Sequence, residues 1–237
     1  ALEKFAAEVR KEGLDWAELT EEERNRIIDS CLDQVSADYG NTVLKSSARN
    51  EYMIERTRRI LRRTVWALQE QLKHGAFRPE GFEVRFQGGR IDRVDIMEEP
   101  ENNRVYVKVI DYKTGNTSFD LLALYHGLQL QLMVYLDGAL QVEKRKYPDR
   151  EIVPAGVFYY NVKDPMIQEK IHADMESINE QMLKKMKMNG LVQADDDMST
   201  KIDSTMASIP VSLNRDGSFS KRSSVASRKQ FDALGAY

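Results

Sequence analysis

Two short apolar runs separated by a polar gap limit this chain more than any other feature. Ile91, Val94 and Ile96 lie before the turn-forming and polar residues 97–104, and Val105, Val107, Val109 and Ile110 lie after them. Short β-branched runs bounded in this way predict two β-strands joined as a hairpin. The first opens Gly89-Arg90-Ile91-Asp92 and the second ends Asp111-Tyr112-Lys113-Thr114-Gly115. Such a hairpin brings Asp92 beside Asp111. Residues i and i+2 of a strand share a face, so Lys113 points into the same space as Asp111 while Tyr112 turns towards packing.

Residues 119–142 read as one amphipathic helix with Leu121, Tyr125, Leu128, Leu132 and Leu136 as its apolar stripe. Gln131 and Tyr135, at i and i+4, stand on its shoulder as stacked neighbours whose polar tips could reach a phosphate. Two carboxylates suffice to hold Mg²⁺ or Mn²⁺, which takes oxygen ligands and keeps several waters. A lysine between them and the solvent would orient water or stabilise charge on a phosphate. An Asp-x-Lys alone is a weak signal, since exposed pairs of this kind are common at strand ends. The ordered set of Gly-x-x-Asp, Asp-Tyr-Lys-Thr-Gly and Gln-x-x-x-Tyr is what predicts metal-assisted phosphodiester hydrolysis.

Together these residues resemble the RecB-type branch of the PD-(D/E)XK nuclease superfamily. Within it they are most similar to the C-terminal nuclease domains of AddB-type subunits of bacterial AddAB helicase–nucleases. The likeness extends to Ala1–Phe5, Gly81–Phe86, Pro154–Tyr160, Met186–Leu191 and Ser223–Val225, and so spans nearly the whole chain. The resemblance implies an α/β fold of the restriction-endonuclease-like kind, with a central mixed sheet flanked by helices. It implies Asp92 and Asp111 as metal ligands, Lys113 as the catalytic lysine, and Gln131 and Tyr135 as residues completing the site. Glu83 matches a further acid of the family, although Glu83-Val84-Arg85-Phe86 equally fits an ordinary exposed strand. The partners implied are DNA, as a single strand from an unwound duplex, and an AddA-type helicase–nuclease subunit. Two other readings stay open: a non-catalytic DNA-binding scaffold of the same fold, and a stand-alone nuclease of the CRISPR-associated or phage-exonuclease kind.

The chain departs from the family in three places. AddB-type domains carry a catalytic histidine just before the helix that starts here at Ala1, and a 4Fe-4S cluster on four cysteines. This sequence holds one cysteine, Cys31, on an apolar helical face with Ile27, Ile28 and Val35, where it reads as a buried thiol. The expectation is an excised core whose histidine and cluster ligands lie beyond it. The run from Phe86 to Gly89 is also shorter than the family leads one to expect.

The remaining sequence is read as one nuclease domain over 1–237: a helical part at 1–80, a catalytic core at 81–162, and a C-terminal helix and hairpin at 163–237. Helices are expected over 1–12, from a capping box at Thr20–Glu23 to about Ala37, from Ser47 to His74, and over 166–188. Strands are expected around 82–86, 90–96, 105–111 and 153–161, and a hairpin around Asn214–Gly217. Arg56, Arg58, Arg59, Arg62 and Arg63 form a stripe that either pairs with nearby acids or follows phosphates. Met175, Met182, Met186 and Met188 read as packing residues, and Asp195-Asp196-Asp197 as a solvated loop. His74, His126 and His172 have no metal-ligand spacing. With 237 residues, 41% hydrophobic content, a net charge of −3 and no long apolar run, the sequence suggests a cytoplasmic protein without a membrane span. A slightly negative total does not exclude DNA, because local charge decides affinity.

Overall fold

The computed structural model describes residues 1–38, 47–167 and 174–234. Three helices come first: α1 (Leu2–Lys11), α2 (Glu21–Asp38) and α3 (Ala48–Lys73). The expected capping box starts α2: Glu23 Oε2 accepts from the Thr20 amide at 2.9 Å, and Thr20 Oγ1 accepts from the Glu23 amide at 3.2 Å. Strands β1 (Arg78–Phe86), β2 (Gly89–Glu99) and β3 (Arg104–Lys113) follow as an antiparallel meander. Phe86 pairs with Gly89, so only Gln87 and Gly88 turn the chain between β1 and β2. The short run noted in the sequence is a tight hairpin.

The helix expected over 119–142 is two helices, α4 (Leu121–Tyr125) and α5 (Gln131–Lys146). Gly127 ends the first with a left-handed φ of 74°, a conformation that glycine adopts without a Cβ penalty. The break disrupts the stripe. Leu132 and Leu136 are buried, whereas Leu121, Tyr125 and Leu128 are exposed. From α5 the chain enters β4 (Glu151–Asn161), parallel to β3, so α5 is the crossover helix that a parallel pair requires.

The C-terminal part contributes more to the sheet than a helix and hairpin. After α6 (Met175–Lys185), β5 (Asn189–Gln193) pairs antiparallel with β4, and β6 (Val225–Ala226) pairs parallel with β5. The sheet order is β1-β2-β3-β4-β5-β6. The short α7 (Met198–Ile202) and α8 (Arg228–Leu234) flank these strands. The expected hairpin is reduced to a turn with one bridge, Leu213 to Phe219. Met182, Met186 and Met188 pack as expected, but Met175 is exposed. Residues 168–173 of the helix expected at 166–188, His172 among them, fall outside the described residues.

Helices cover both faces of the central strands, which explains why β3 and β4 are apolar almost throughout. On one face Phe5, Ile27, Ile28, Leu68 and Cys31 pack with Tyr106, Ile110, Phe158 and Tyr160. On the other, Leu132, Leu136 and Ala139 of α5 and Phe231 of α8 pack with Val94, Ile96, Val107 and Val109. A Cβ on Gly138 would lie 2.4 Å from the Phe86 ring, so glycine is what lets α5 approach the β1–β2 turn.

Candidate active site

The β2–β3 ladder ends at the pair Arg93↔Ile110, and the next step sets Asp92 against Asp111. There the Asp92 side chain replaces a backbone partner: its Oδ2 accepts from the Tyr112 amide at 2.8 Å. On the other side, Glu83 stands opposite Asp92, between the pairs Phe82↔Arg93 and Val84↔Ile91. Glu83 has a φ of 52°, an uncommon left-handed conformation for a residue with a side chain. Its carboxylate ion-pairs with Arg90. Burial pushes the Glu83 carboxyl up, Arg90 opposes this, and the charge of Asp92 adds to it. A third acid therefore lies within electrostatic reach of the first.

Strand alternation assigns the rest. Val105, Val107, Val109, Asp111 and Lys113 face α5, whereas Tyr112 turns to the opposite face, edge-on to Tyr160 at 6.0 Å. Asp111 is 3% exposed and lies 2.6 Å, through Oδ2, from Lys113 Nζ. Burial raises the Asp111 carboxyl above its ordinary value; Lys113 pulls it back part of the way, and Asp92 adds to the rise. Burial lowers the Lys113 ammonium, but its close ion pair with the Asp111 carboxylate outweighs the effect and raises it. The lysine stays a cation.

Gln131 and Tyr135 meet this group through Lys113. Lys113 Nζ donates to Gln131 Oε1 at 2.8 Å, and Gln131 Nε2 donates to the Tyr135 hydroxyl at 2.9 Å. The structure thus brings together Asp92, Asp111, Lys113, Gln131 and Tyr135, with Glu83 at the margin. Tyr159 joins them without having been singled out in the sequence. It pairs with Asp111 in the β3–β4 register, and Lys113 Nζ lies 5.4 Å from its ring centre. Only the parallel register reveals it, because β3 and β4 are distant in sequence. Asn161 and Asn189 were also missed. They anchor the loop after Lys113, Asn161 bonding both backbone groups of Thr117 and Asn189 Oδ1 accepting from the Phe119 amide at 2.6 Å.

The donor set suits a hard cation. Asp111 Oδ2 is sealed from solvent and meets Lys113 as an ion pair but takes no well-aligned hydrogen bond. Among the described residues no group of three or more His, Cys, Asp or Glu is placed to hold a metal ion. Two carboxylates opposed across the β2–β3 ladder are the number and kind of ligand that a hard divalent cation such as Mg²⁺ takes while it retains waters. Cys31, the sequence's only cysteine, is buried in the helical core, with its thiol pushed up by burial.

Residues 1–233 match the family model of the PD-(D/E)XK nuclease superfamily. The chain belongs to that superfamily. All of it aligns, at 41% identity, with the B-type subunit of the ATP-dependent helicase/deoxyribonuclease of Lachnoclostridium phytofermentans. Counterparts of the same name from Alkaliphilus metalliredigens and Clostridium acetobutylicum are 35% and 34% identical over 99% and 98% of the chain. The chain spans 22% of the length of each. The PD-(D/E)XK core and the likeness to helicase–nuclease subunits expected from the motifs are both borne out.

The arginine stripe resolves towards ion pairing. Arg58 meets Asp29, Asp33 and Glu55, Arg62 meets Asp29, and Arg59 and Arg63 meet Asp164. Four of the five arginines are thus ion-paired, two of them sharing Asp164, and Arg56 makes no such pair among the described residues. No helix among the described residues is long and apolar enough to cross a membrane.

Proposed function

We propose that residues 1–237 work as one nuclease domain of a helicase–nuclease, cutting DNA phosphodiester bonds with a divalent cation. The observation that carries this is the shared face of β3, where Asp111 and Lys113 adjoin each other with Asp92 across the ladder. Asp92 and Asp111 would hold Mg²⁺ or Mn²⁺, which when bound supplies charge neutralisation at the phosphate and a more acidic water. Lys113, kept protonated by Asp111, presents a cation to a non-bridging phosphate oxygen or to the attacking water. Gln131, supported by Tyr135, limits where the ammonium can go. The Asp92–Tyr112 bond keeps the two acids in register.

The names of the relatives support DNA as substrate and at least one further subunit as partner. To this the family resemblance adds an AddA-type motor as that subunit and the cytoplasm as the location. An iron–sulfur cluster of the AddB kind would need cysteines from outside these 237 residues.

The test is cleavage of a labelled single strand in Mg²⁺ or Mn²⁺ by the parent and by Asp111→Asn and Lys113→Ala. Each change is expected to lower the rate by at least about a hundredfold. Cleavage at the parent rate in both variants overturns the assignment. DNA binding without any cutting by the parent favours the scaffold reading.

A further inference from the structure

The segment after Lys113 leaves the site and returns to it. It runs from Thr114 through α4 to Leu130, and the next residue, Gln131, accepts the Lys113 hydrogen bond. Its base is fastened to β4 and β5 by Asn161 and Asn189. Its two halves are tied by Gln129, which donates to the Ser118 carbonyl at 3.0 Å and accepts from the Asp120 amide at 2.9 Å. This is a braced platform beside the catalytic face.

The outer surface of that platform is unusual for a chain with 31% charged residues. Residues 121–134 contain no Asp, Glu, Lys or Arg. Leu122, Tyr125 and Leu128 are 65%, 73% and 79% exposed, and Leu121, Leu130 and Val134 are exposed beside them. The acid that precedes this run in sequence, Asp120, caps α4 by accepting from the Leu122 and Ala123 amides. Clustered exposed apolar side chains of this kind mark a binding surface.

We infer that this ledge is a base-contacting subsite for single-stranded DNA, with Tyr125 and Leu128 as its central contacts. The inference rests on the nuclease reading and adds to it a place for the bases. The ledge offers a phosphate neither attraction nor repulsion, whereas Lys113 at its root is a cation. A strand whose backbone reaches Lys113 would therefore lay its bases on the apolar side. Unpaired bases stack on exposed aromatic and apolar groups without regard to sequence, and paired bases do not offer their faces. The Tyr125 ring lies edge-on to its neighbour His126 at 5.4 Å and leaves its face open to solvent for such contact.

The test uses the 237-residue chain in an Asp111→Asn background, so that the strand stays uncut. Binding of a labelled twenty-residue oligothymidine and of an abasic strand of equal length is measured by fluorescence anisotropy, with and without Tyr125→Ser and Leu128→Ser together. The double change is expected to weaken oligothymidine binding by about tenfold or more and abasic binding by less than about twofold. Both side chains are exposed, so an unchanged thermal midpoint is expected and rules out misfolding. Equal weakening of both strands, or no weakening of either, overturns the subsite. In the second case a protein surface becomes the occupant, and sedimentation at rising concentration would reveal a second copy. The two failures separate: a parent that cuts DNA while the double variant keeps its oligothymidine affinity sinks the ledge alone, whereas a parent that never cuts sinks the hydrolytic reading.

Discussion

Asp92 and Tyr112 are joined by a hydrogen bond from the Tyr112 amide to Asp92 Oδ2, so the first acid is held against the residue that separates the second acid from the lysine. One side chain thus serves both the ladder and the proposed cation. The two roles separate by substitution. Asp92→Asn keeps an oxygen for the Tyr112 amide and is expected to change stability by less than about 0.5 kcal/mol. Asp92→Ala leaves that amide without its partner and is expected to cost about 1–2 kcal/mol. Both should abolish metal-dependent cleavage. Urea denaturation beside a cleavage assay checks the split, and equal destabilisation by the two changes would refute it.

Gln131 acts on the site through Lys113. Gln131→Ala removes one of the groups that fix the ammonium but leaves the Asp111 ion pair. The expected loss is about tenfold in single-turnover cleavage, with metal affinity by calorimetry unchanged. Tyr135→Phe removes only the hydroxyl that accepts from Gln131 and should cost less. A larger loss for Tyr135→Phe would mean that the tyrosine touches DNA directly.

Behind the site, on the helical face, lies a fully buried charge cluster. Asp95 takes Arg93 Nε at 2.5 Å and Arg93 Nη2 at 2.9 Å, and Lys108 Nζ lies 2.9 Å from Asp95 Oδ2. Arg93 also sits 5.1 Å from the Trp16 ring centre. Burial lowers the Lys108 ammonium, with Asp95 opposing and Arg93 reinforcing the shift. Removing Asp95 strands two buried cations, so Asp95→Ala is expected to destabilise the fold by about 3–5 kcal/mol. Lys108→Met leaves the Arg93–Asp95 pair intact and should be neutral or stabilising. Chemical denaturation of both variants decides between these outcomes.

Asp203, 1% exposed, accepts from the amides and hydroxyls of Thr205 and Ser208 at 2.6–2.9 Å. Burial alone would raise its carboxyl, but these four bonds outweigh it and hold it below the ordinary value. A depressed folded value means that the unfolded chain binds the proton more readily. The contribution is therefore complete above about pH 4 and is lost as pH falls through the folded value. Asp203→Asn should lower the thermal midpoint at pH 6 and flatten its decline between pH 5 and pH 2.5. Parallel declines in the parent and the variant would show that Asp203 does not drive acid unfolding.

The local pattern of the sequence determined the elements that hold the site. Apolar alternation in β2 and β3 sets which residues share a face, and this alone puts Asp111 with Lys113 and turns Tyr112 away. The Thr20–Glu23 capping box and the i, i+4 spacing of Gln131 and Tyr135 were legible for the same reason, since each depends on neighbours within one turn or strand. Tertiary structure decided the rest. The single helix expected over 119–142 became two because Gly127 permits a left-handed turn and only Leu132 and Leu136 find the sheet. Asp164 and Asp29 pair with four arginines of the stripe, and Tyr159 comes beside Lys113 through a parallel register. Strands β5 and β6 are short, and their partners lie far away in sequence. Contacts between distant segments leave no local period to read, because the packing that selects them exists only once the sheet has formed.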